Sequence, residues 1–376
     1  MTTLTRHCSA AVLSAAVAAS ALLVSAPAAT AAGSVGSADS ITGSLPDLPG
    51  QPGDPAAGNL PTTFDLQAHR GGRGEHTEES RTAFETALDL GVTTLELDIH
   101  ITRDGVPLVW HDPSIQADKC TDTAPATPDD PQFPYVGKDV HDLTWDQIQT
   151  LTCDRKLADF PDAEPATGNR ILQLADVFDL AARDPQVRFD IETKVEADRP
   201  ERSADPQQFV DTILDVADAA RTTDRITVQS FDWATLPLVR ERAPQVPLSA
   251  LFDDSTWAPG SPFLGPVDYD GVGGDVIAAA EQLGVEILSP ESGTDNPWLD
   301  GNDGNGSNDS DDSDGSDGVA GFVDRAHAAG FRVLPWTVND VDEMTRYLDA
   351  GADGLITDYP TRLKGLLEAR GTAFRS

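Results

Sequence analysis

Between residues 62 and 370, short apolar runs alternate with stretches of helical periodicity. The candidate strands are residues 64–69, 94–101, 188–193, 226–230, 248–252, 286–289, 332–336 and 354–357. Helical patterns lie between most of them, at 80–90, 174–182, 206–220, 233–242, 275–284, 319–329 and 341–350. Several helical stretches end in a glycine just before the next strand, as at Gly91, Gly284, Gly330 and Gly351. Glycine closes helices there because it tolerates the left-handed conformation. Strand–helix alternation implies parallel strands, and eight such units predict a (β/α)8 barrel of the TIM type.

Two features break the regular pattern. A second extended run, residues 106–111, follows the second strand after Asp104-Gly105, a hairpin signal. The stretch from there to the third strand is too long for a simple crossover, so residues 113–170 are read as an insertion over one end of the barrel. The second feature is an Asp/Gly/Asn/Ser tract at 300–318, with no apolar residue to bury, which reads as a disordered acidic loop.

The ends set the compartment. Arg6, an uncharged Ala/Val/Leu run over 10–26 and the small residues Ala29-Thr30-Ala31 form a secretory signal peptide pattern over residues 1–31. Residues 32–61, rich in Gly, Pro, Ser and Ala, read as a flexible leader. The chain is then expected to be exported, with no stable membrane insertion after cleavage near Ala31. Of three cysteines, Cys120 and Cys153 lie in the mature chain, and in an oxidising compartment two such cysteines most simply form one disulfide. The formal net charge is −37, which excludes a nucleic-acid grip built on basic surface and argues against anionic lipid.

The chemistry gathers at strand ends. In residues 94–101, Leu95, Leu97 and Ile99 form one face, which leaves Glu96 and Asp98 on the other. Two acids facing a barrel interior repel each other, and a divalent cation is the simplest compensation. The third strand repeats the alternation, with Asp190, Glu192 and Lys194 on one face. Glu192 can reach the same ion, and Lys194 adds a positive charge beside it. All-oxygen ligands suit Ca2+ or Mg2+ equally. A structural ion-pair layer is the competing reading, though three acids against one lysine leave it unbalanced. His69 and His111 each follow an apolar run at its C-terminal end, where barrel chemistry resides. Histidine exchanges protons near neutral pH, and Arg70 offers a fork suited to phosphate. Together these groups suit phosphoryl transfer. His76, His100, His141 and His327 carry no such signal, although His100 continues the Glu96/Asp98 face.

These pieces also stand in a familiar order: His69-Arg70-Gly71, an acidic turn at Glu78-Glu79 before Ala83-Phe84, Glu96-x-Asp98, Thr102-x-Asp104-Gly105 and His111-Asp112. Asp190-Ile191-Glu192-Thr193-Lys194, Gln229-Ser230-Phe231, Trp336-Thr337-Val338-Asn339 and the run from Gly351 to Pro360 follow. Over roughly residues 64–367 the chain resembles the glycerophosphodiester phosphodiesterase family. The resemblance implies a (β/α)8 barrel with one divalent metal that hydrolyses a glycerophosphodiester, a small molecule, to an alcohol and sn-glycerol 3-phosphate. By resemblance, Glu96, Asp98 and Glu192 are metal ligands and His69 and His111 the acid/base pair. Arg70 and Lys194 contact phosphate, Glu78 matches the acid of the family's Pro-Glu-Asn-Thr turn and is expected to be substrate-binding, and Trp336 walls the pocket.

The chain departs from that pattern at Thr77-Glu78-Glu79-Ser80, where Glu79 replaces Asn and is expected to add negative charge near an anionic substrate. Ser80 can still cap the next helix. Two other readings compete. A lysophospholipase D-like enzyme acting on lysolipids or sphingomyelin would need a wide apolar mouth, and Phe133, Tyr135 and Trp145 of the insertion are candidates for a lid or lipid platform. A non-catalytic glycerophosphodiester-binding protein would be expected to lack one of the five site residues, and all five are present.

Overall fold

The computed structural model describes residues 56–293 and 316–375. The expected signal peptide, most of the leader and most of the 300–318 loop lie outside them.

Eight parallel strands form the expected barrel: β1 (Asp65–Ala68), β2 (Thr94–Ile101), β5 (Arg188–Thr193), β6 (Ile226–Ser230), β7 (Leu248–Phe252), β8 (Ile287–Pro290), β9 (Arg332–Val333) and β10 (Gly354–Thr357). Their order is β10-β1-β2-β5-β6-β7-β8-β9. Backbone bonds from Asp353 N to Val333 O (3.0 Å) and from Ile356 N to Pro335 O (3.1 Å) join β9 to β10 and close the ring. The run after Asp104-Gly105 returns as β3 (Pro107–Val109), antiparallel to β2, and β4 (Leu172–Gln173) pairs with β3.

Alternation in β2 places side chains as the sequence implies. Leu95, Leu97 and Ile99 join the hydrophobic layer between barrel and helices. Glu96, Asp98 and His100 are buried on the opposite, luminal face. Helix α1 (Arg81–Leu90) starts where expected, with the Ser80 hydroxyl accepting from Ala83 N (3.1 Å), and ends at Gly91 with φ +79°. Gly71, in the turn between β1 and α1, has φ +79°, and a Cβ there would lie 2.9 Å from the Ala83 Cβ. Only glycine lets that turn sit against the helix.

Three elements depart from the sequence reading. The 319–329 helix begins earlier, as Ser316–Ala328. A helix over Pro360–Arg370 was not anticipated; its proline occupies the first turn, where no amide donor is required, and Leu363 and Leu367 bury one stripe. The leader also ends sooner than residue 61. Ala56 and Leu60 are buried, Leu60 packing with Ile287 and Leu334, and Asn59 Nδ2 donates to Gln245 O (2.8 Å). Two apolar residues in a Gly/Pro-rich stretch suffice to tie it to the N-terminal ends of the strands.

The 113–170 insertion has its own core, in which Ile115, Tyr135, Val140, Leu143, Ile148 and Leu151 pack around Cys120 and Cys153. Those cysteines are joined as a disulfide. Tyr135 is wholly buried, with its hydroxyl on Asp130 Oδ2 (2.7 Å), so it belongs to this core and to no lid or lipid platform. Backbone bonds between Thr77 N and Glu164 O (3.0 Å) and between Glu164 N and Glu75 O (2.8 Å) fasten the insertion beside the loop after β1. Replacing both cysteines by alanine should destabilise the insertion by about 2–5 kcal/mol, the usual range for a lost native disulfide. Hydrogen exchange should then show protection falling within 113–170 well before it falls in β2 or β5; an even loss would contradict an insertion with its own core.

Candidate active site

The luminal ends of β2 and β5 bring the predicted acids together. Glu96, Asp98 and Glu192 are all buried, with ligand oxygens within 4.8 Å of one another. Glu96 is held from both sides, accepting from Arg70 N (2.9 Å) and Gln229 Nε2 (2.9 Å). Asp98 Oδ2 lies 3.0 Å from Arg70 Nε, and Lys194 Nζ lies 2.7 Å from Glu192 and 3.7 Å from Asp98. Asp190 is one layer deeper and takes no part. Burial, then the neighbouring Asp65, pushes its carboxyl well above the usual range.

The electrostatics show what the cluster lacks. Burial, then the neighbouring Asp98, pushes the Glu96 carboxyl well above its usual range. Burial pushes Glu192 up to about 7. Burial opposes ionisation of Asp98 as well, but Lys194 and Arg70 outweigh it and hold that group well below its usual range. Two cations do not compensate three buried carboxylates. An oxygen-only donor set with two of its three acids, Glu96 and Glu192, pushed toward neutrality fits a divalent cation, which would restore their ionisation.

His69 and His111 line the same cavity of about 300 Å3 at the C-terminal mouth of the barrel, with Arg70, Lys194, Gln229, Phe231 and Trp336. His69 Nδ1 lies 2.5 Å from Asp358 Oδ1, and Asp358 in turn accepts from Asn339 Nδ2 (2.8 Å). A carboxylate on Nδ1 fixes the proton there and leaves Nε2 as the free base. That nitrogen lies 3.9 Å from Glu96 Oε2. His111 is more open, with Nδ1 3.3 Å from Asp112 Oδ1. Burial lowers the pKa of His69 and drives that of His111 well down; Arg70 and Lys194 add to the shift at His111. His100, unassigned from sequence, bonds through Nε2 to the His111 carbonyl (3.2 Å) and so steadies the backbone of that residue.

Arg70 sits in the left-handed region with φ 51°, an uncommon conformation for a non-glycine residue. There its amide points at Glu96 and its side chain reaches Asp98. Trp336 forms a wall, its ring edge-to-face with Phe231 at 5.2 Å and its Nε1 on Ser289 O (2.9 Å). Glu78 is placed differently from the sequence expectation. It does not line the cavity but stands behind Arg70 at 3.4 Å and pairs with Lys119. Lys119, which the sequence reading missed, also bonds Asp112, the neighbour of His111. Its one sequence signal is that it precedes Cys120. Asp358, Asn339 and Gln229 were part of the motif pattern but had no assigned role.

Glu79 also departs from expectation. It is buried at φ 51°, its Oε1 accepts from Asp98 N (3.1 Å), and it does not line the cavity. Burial, then Asp98 and Glu78, pushes its carboxyl well above the usual value. Its oxygen fills the acceptor role open to an amide, and the carboxyl it adds is turned away from the cavity.

A model of the glycerophosphoryl diester phosphodiesterase family matches residues 69–362. The chain belongs to that family. It is a phosphoric diester hydrolase with the barrel shared by its solved relatives. A glycerophosphodiester phosphodiesterase of Caldanaerobacter subterraneus is 24% identical over 305 residues, 81% of this chain and 98% of the relative. A human lysophospholipase D is 24% identical over 83% of this chain and 87% of its own length. A Silicibacter pomeroyi crystal structure assigned as a glycerophosphoryl diester phosphodiesterase superposes with a TM-score of 0.67 at 26% identity, covering 86% of this chain and 100% of that one. An Oleispira antarctica phosphodiesterase, solved with its product sn-glycerol-3-phosphate, has a TM-score of 0.58 at 16% identity and covers 83% of this chain and 99% of its own.

The Glu79 geometry sets a pH dependence for the chelated protein. A folded pKa above the unfolded value means that stability is fully present below the unfolded pKa and is lost as pH rises through the folded one. Glu79→Gln removes that loss. The stability gap in favour of the variant should therefore widen with rising pH, by at most about 1.4 kcal/mol per unit. Parallel denaturation-midpoint curves for the two proteins would contradict a neutral Glu79.

Proposed function

We propose that this enzyme hydrolyses glycerophosphodiesters to an alcohol and sn-glycerol 3-phosphate, with one divalent cation, Ca2+ or Mg2+, held by Glu96, Asp98 and Glu192. The observation that carries the reading is the placement of two histidines around one cavity whose floor is a buried, under-compensated acid cluster. When bound, the cation would neutralise charge on the phosphate oxygens. Arg70 and Lys194 would orient the diester, and Trp336 and Phe231 would exclude water from one side. One histidine takes the proton from the neighbouring glycerol hydroxyl as its oxygen bonds to phosphorus. The bond to the alcohol oxygen breaks, and the other histidine protonates that oxygen. Water then opens the cyclic phosphate with the two roles exchanged, so each ring ends as it began. An internal nucleophile gains the proximity advantage. The N-terminal pattern and the disulfide support export to an oxidising compartment.

A second reading is a lysophospholipase D activity, favoured by the names of the mammalian relatives. Against it, a groove of about 290 Å3 adjoins the cavity at Glu192, Lys194 and Phe231 and runs past Glu196, Asp198 and Asp253. Such walls suit a polar alcohol better than an acyl chain.

The chelated protein should release no glycerol 3-phosphate from glycerophosphocholine until Ca2+ or Mg2+ is restored. Release without metal would remove the cation from the reading, and cleavage of lysophosphatidylcholine alone would favour the second activity. His69→Ala and His111→Ala should each lower turnover at least about 100-fold. Turnover close to wild type in either variant would sink the acid/base assignment.

A further inference from the structure

Arg73 follows the Gly71-Gly72 turn and lines the reaction cavity. It also lines a narrow pocket of about 30 Å3 beneath the insertion, so it forms part of the partition between the two. Its guanidinium carbon lies 4.4 Å from the centroid of the Phe160 ring, which the insertion supplies. A guanidinium on an aromatic face is held without using its hydrogen-bond donors.

Those donors are under-used. Nε lies 3.5 Å from Glu78 Oε2 and 3.8 Å from Asp358 Oδ1, and it is buried with no hydrogen-bond acceptor among the described residues. Both carboxylates already have closer partners: Lys119 and Arg70 at Glu78, His69 and Asn339 at Asp358. The other cavity cations are committed, Arg70 to Asp98 at 3.0 Å and Lys194 to Glu192 at 2.7 Å. Arg73 is thus the cation of this cavity whose side chain makes no hydrogen bond to a described residue. Its planar fork matches two oxygens of a phosphate group.

We propose that Arg73 is a further substrate-binding residue of this cavity, one that takes the phosphate oxygens and is presented to them by Phe160 of the insertion. The inference rests on the cavity being a glycerophosphodiester site. It gives the insertion a direct part in binding, because the ring that positions the guanidinium lies within residues 113–170. A purely structural role, in which Arg73 only pins the insertion to the barrel, predicts lost stability and unchanged affinity.

The test is calorimetric binding of glycerol 3-phosphate to the full enzyme with divalent cation present, alongside thermal melts. Arg73→Met keeps the aliphatic stem and loses the fork; it should weaken binding at least about tenfold, as expected for a lost charge-assisted hydrogen bond. Phe160→Leu should weaken it in the same direction by a smaller factor. Arg155→Met is the control. Arg155 lines the same narrow pocket but donates to Ala117 O (2.8 Å) and Thr121 Oγ1 (3.1 Å) within the insertion, and its loss should leave binding within about twofold. Wild-type affinity in Arg73→Met, or equal weakening in Arg155→Met, would overturn the proposal. Should Arg73→Met fail to fold, Arg73→Lys reads the same quantity, since it keeps the charge and loses both fork and ring stack. Wild-type enzyme that neither binds glycerol 3-phosphate nor cleaves the diester would instead overturn the reading of the cavity itself.

Discussion

Three carboxyl groups buried within 4.8 Å of one another are the constraint around which the rest of the site is arranged. Taking one carboxylate out of water is costly, and placing two more beside it multiplies the cost unless positive charge comes with them. The protein supplies two cations of its own, Arg70 and Lys194, against three carboxyl groups. That imbalance explains the backbone of Arg70. Only in the left-handed conformation do its amide and its guanidinium serve two different acids of the cluster. The luminal face of β2 accepts this polarity because the opposite face, Leu95, Leu97 and Ile99, carries the packing that holds the strand.

From the cluster, support runs outward along two branches. On one side Glu78 backs Arg70, Lys119 joins Glu78 to Asp112, and Asp112 stands against His111. On the other side Asn339 holds Asp358, which fixes the tautomer of His69. The first branch passes through the insertion, since Lys119 precedes the disulfide cysteine Cys120. The insertion therefore belongs to the scaffold of the candidate site, and its disulfide anchors a residue two contacts away from His111. A lid that merely covered the mouth would have no need of that wiring.

The barrel and the gathering of Glu96, Asp98 and Glu192 were legible because both rest on short-range periodicity. Alternation alone puts Glu96 and Asp98 on the face opposite Leu95, Leu97 and Ile99, and strand order then brings Glu192 beside them through the Asp98–Glu192 register. The misreadings have a common origin, in that they concern partners chosen by tertiary contact. Nothing local to Lys119 says that its ammonium will meet Glu78, 41 residues earlier in the chain. Nor does the sequence say that Glu79 will turn its carboxyl to the Asp98 amide and away from the cavity. Tyr135 stood with Phe133 and Trp145 as an aromatic candidate for a lid or platform, yet the disulfide-linked insertion is large enough to bury it.

The overall charge sharpens the point about Glu79. A chain of net charge −37 is asked to hold an anionic diester. At physiological ionic strength the Debye length is about 8 Å, so most of those acids are screened from the cavity and only the groups around it decide the local potential. Among those groups Arg70, Arg73 and Lys194 face Glu96, Glu192 and Asp358, with Asp98 just behind. One more ionised carboxylate in that shell would tip the balance against phosphate. Glu79 is turned to the Asp98 amide and away from the cavity, and burial pushes its carboxyl toward the neutral form, so a substitution that looks damaging in sequence becomes compatible with anion binding.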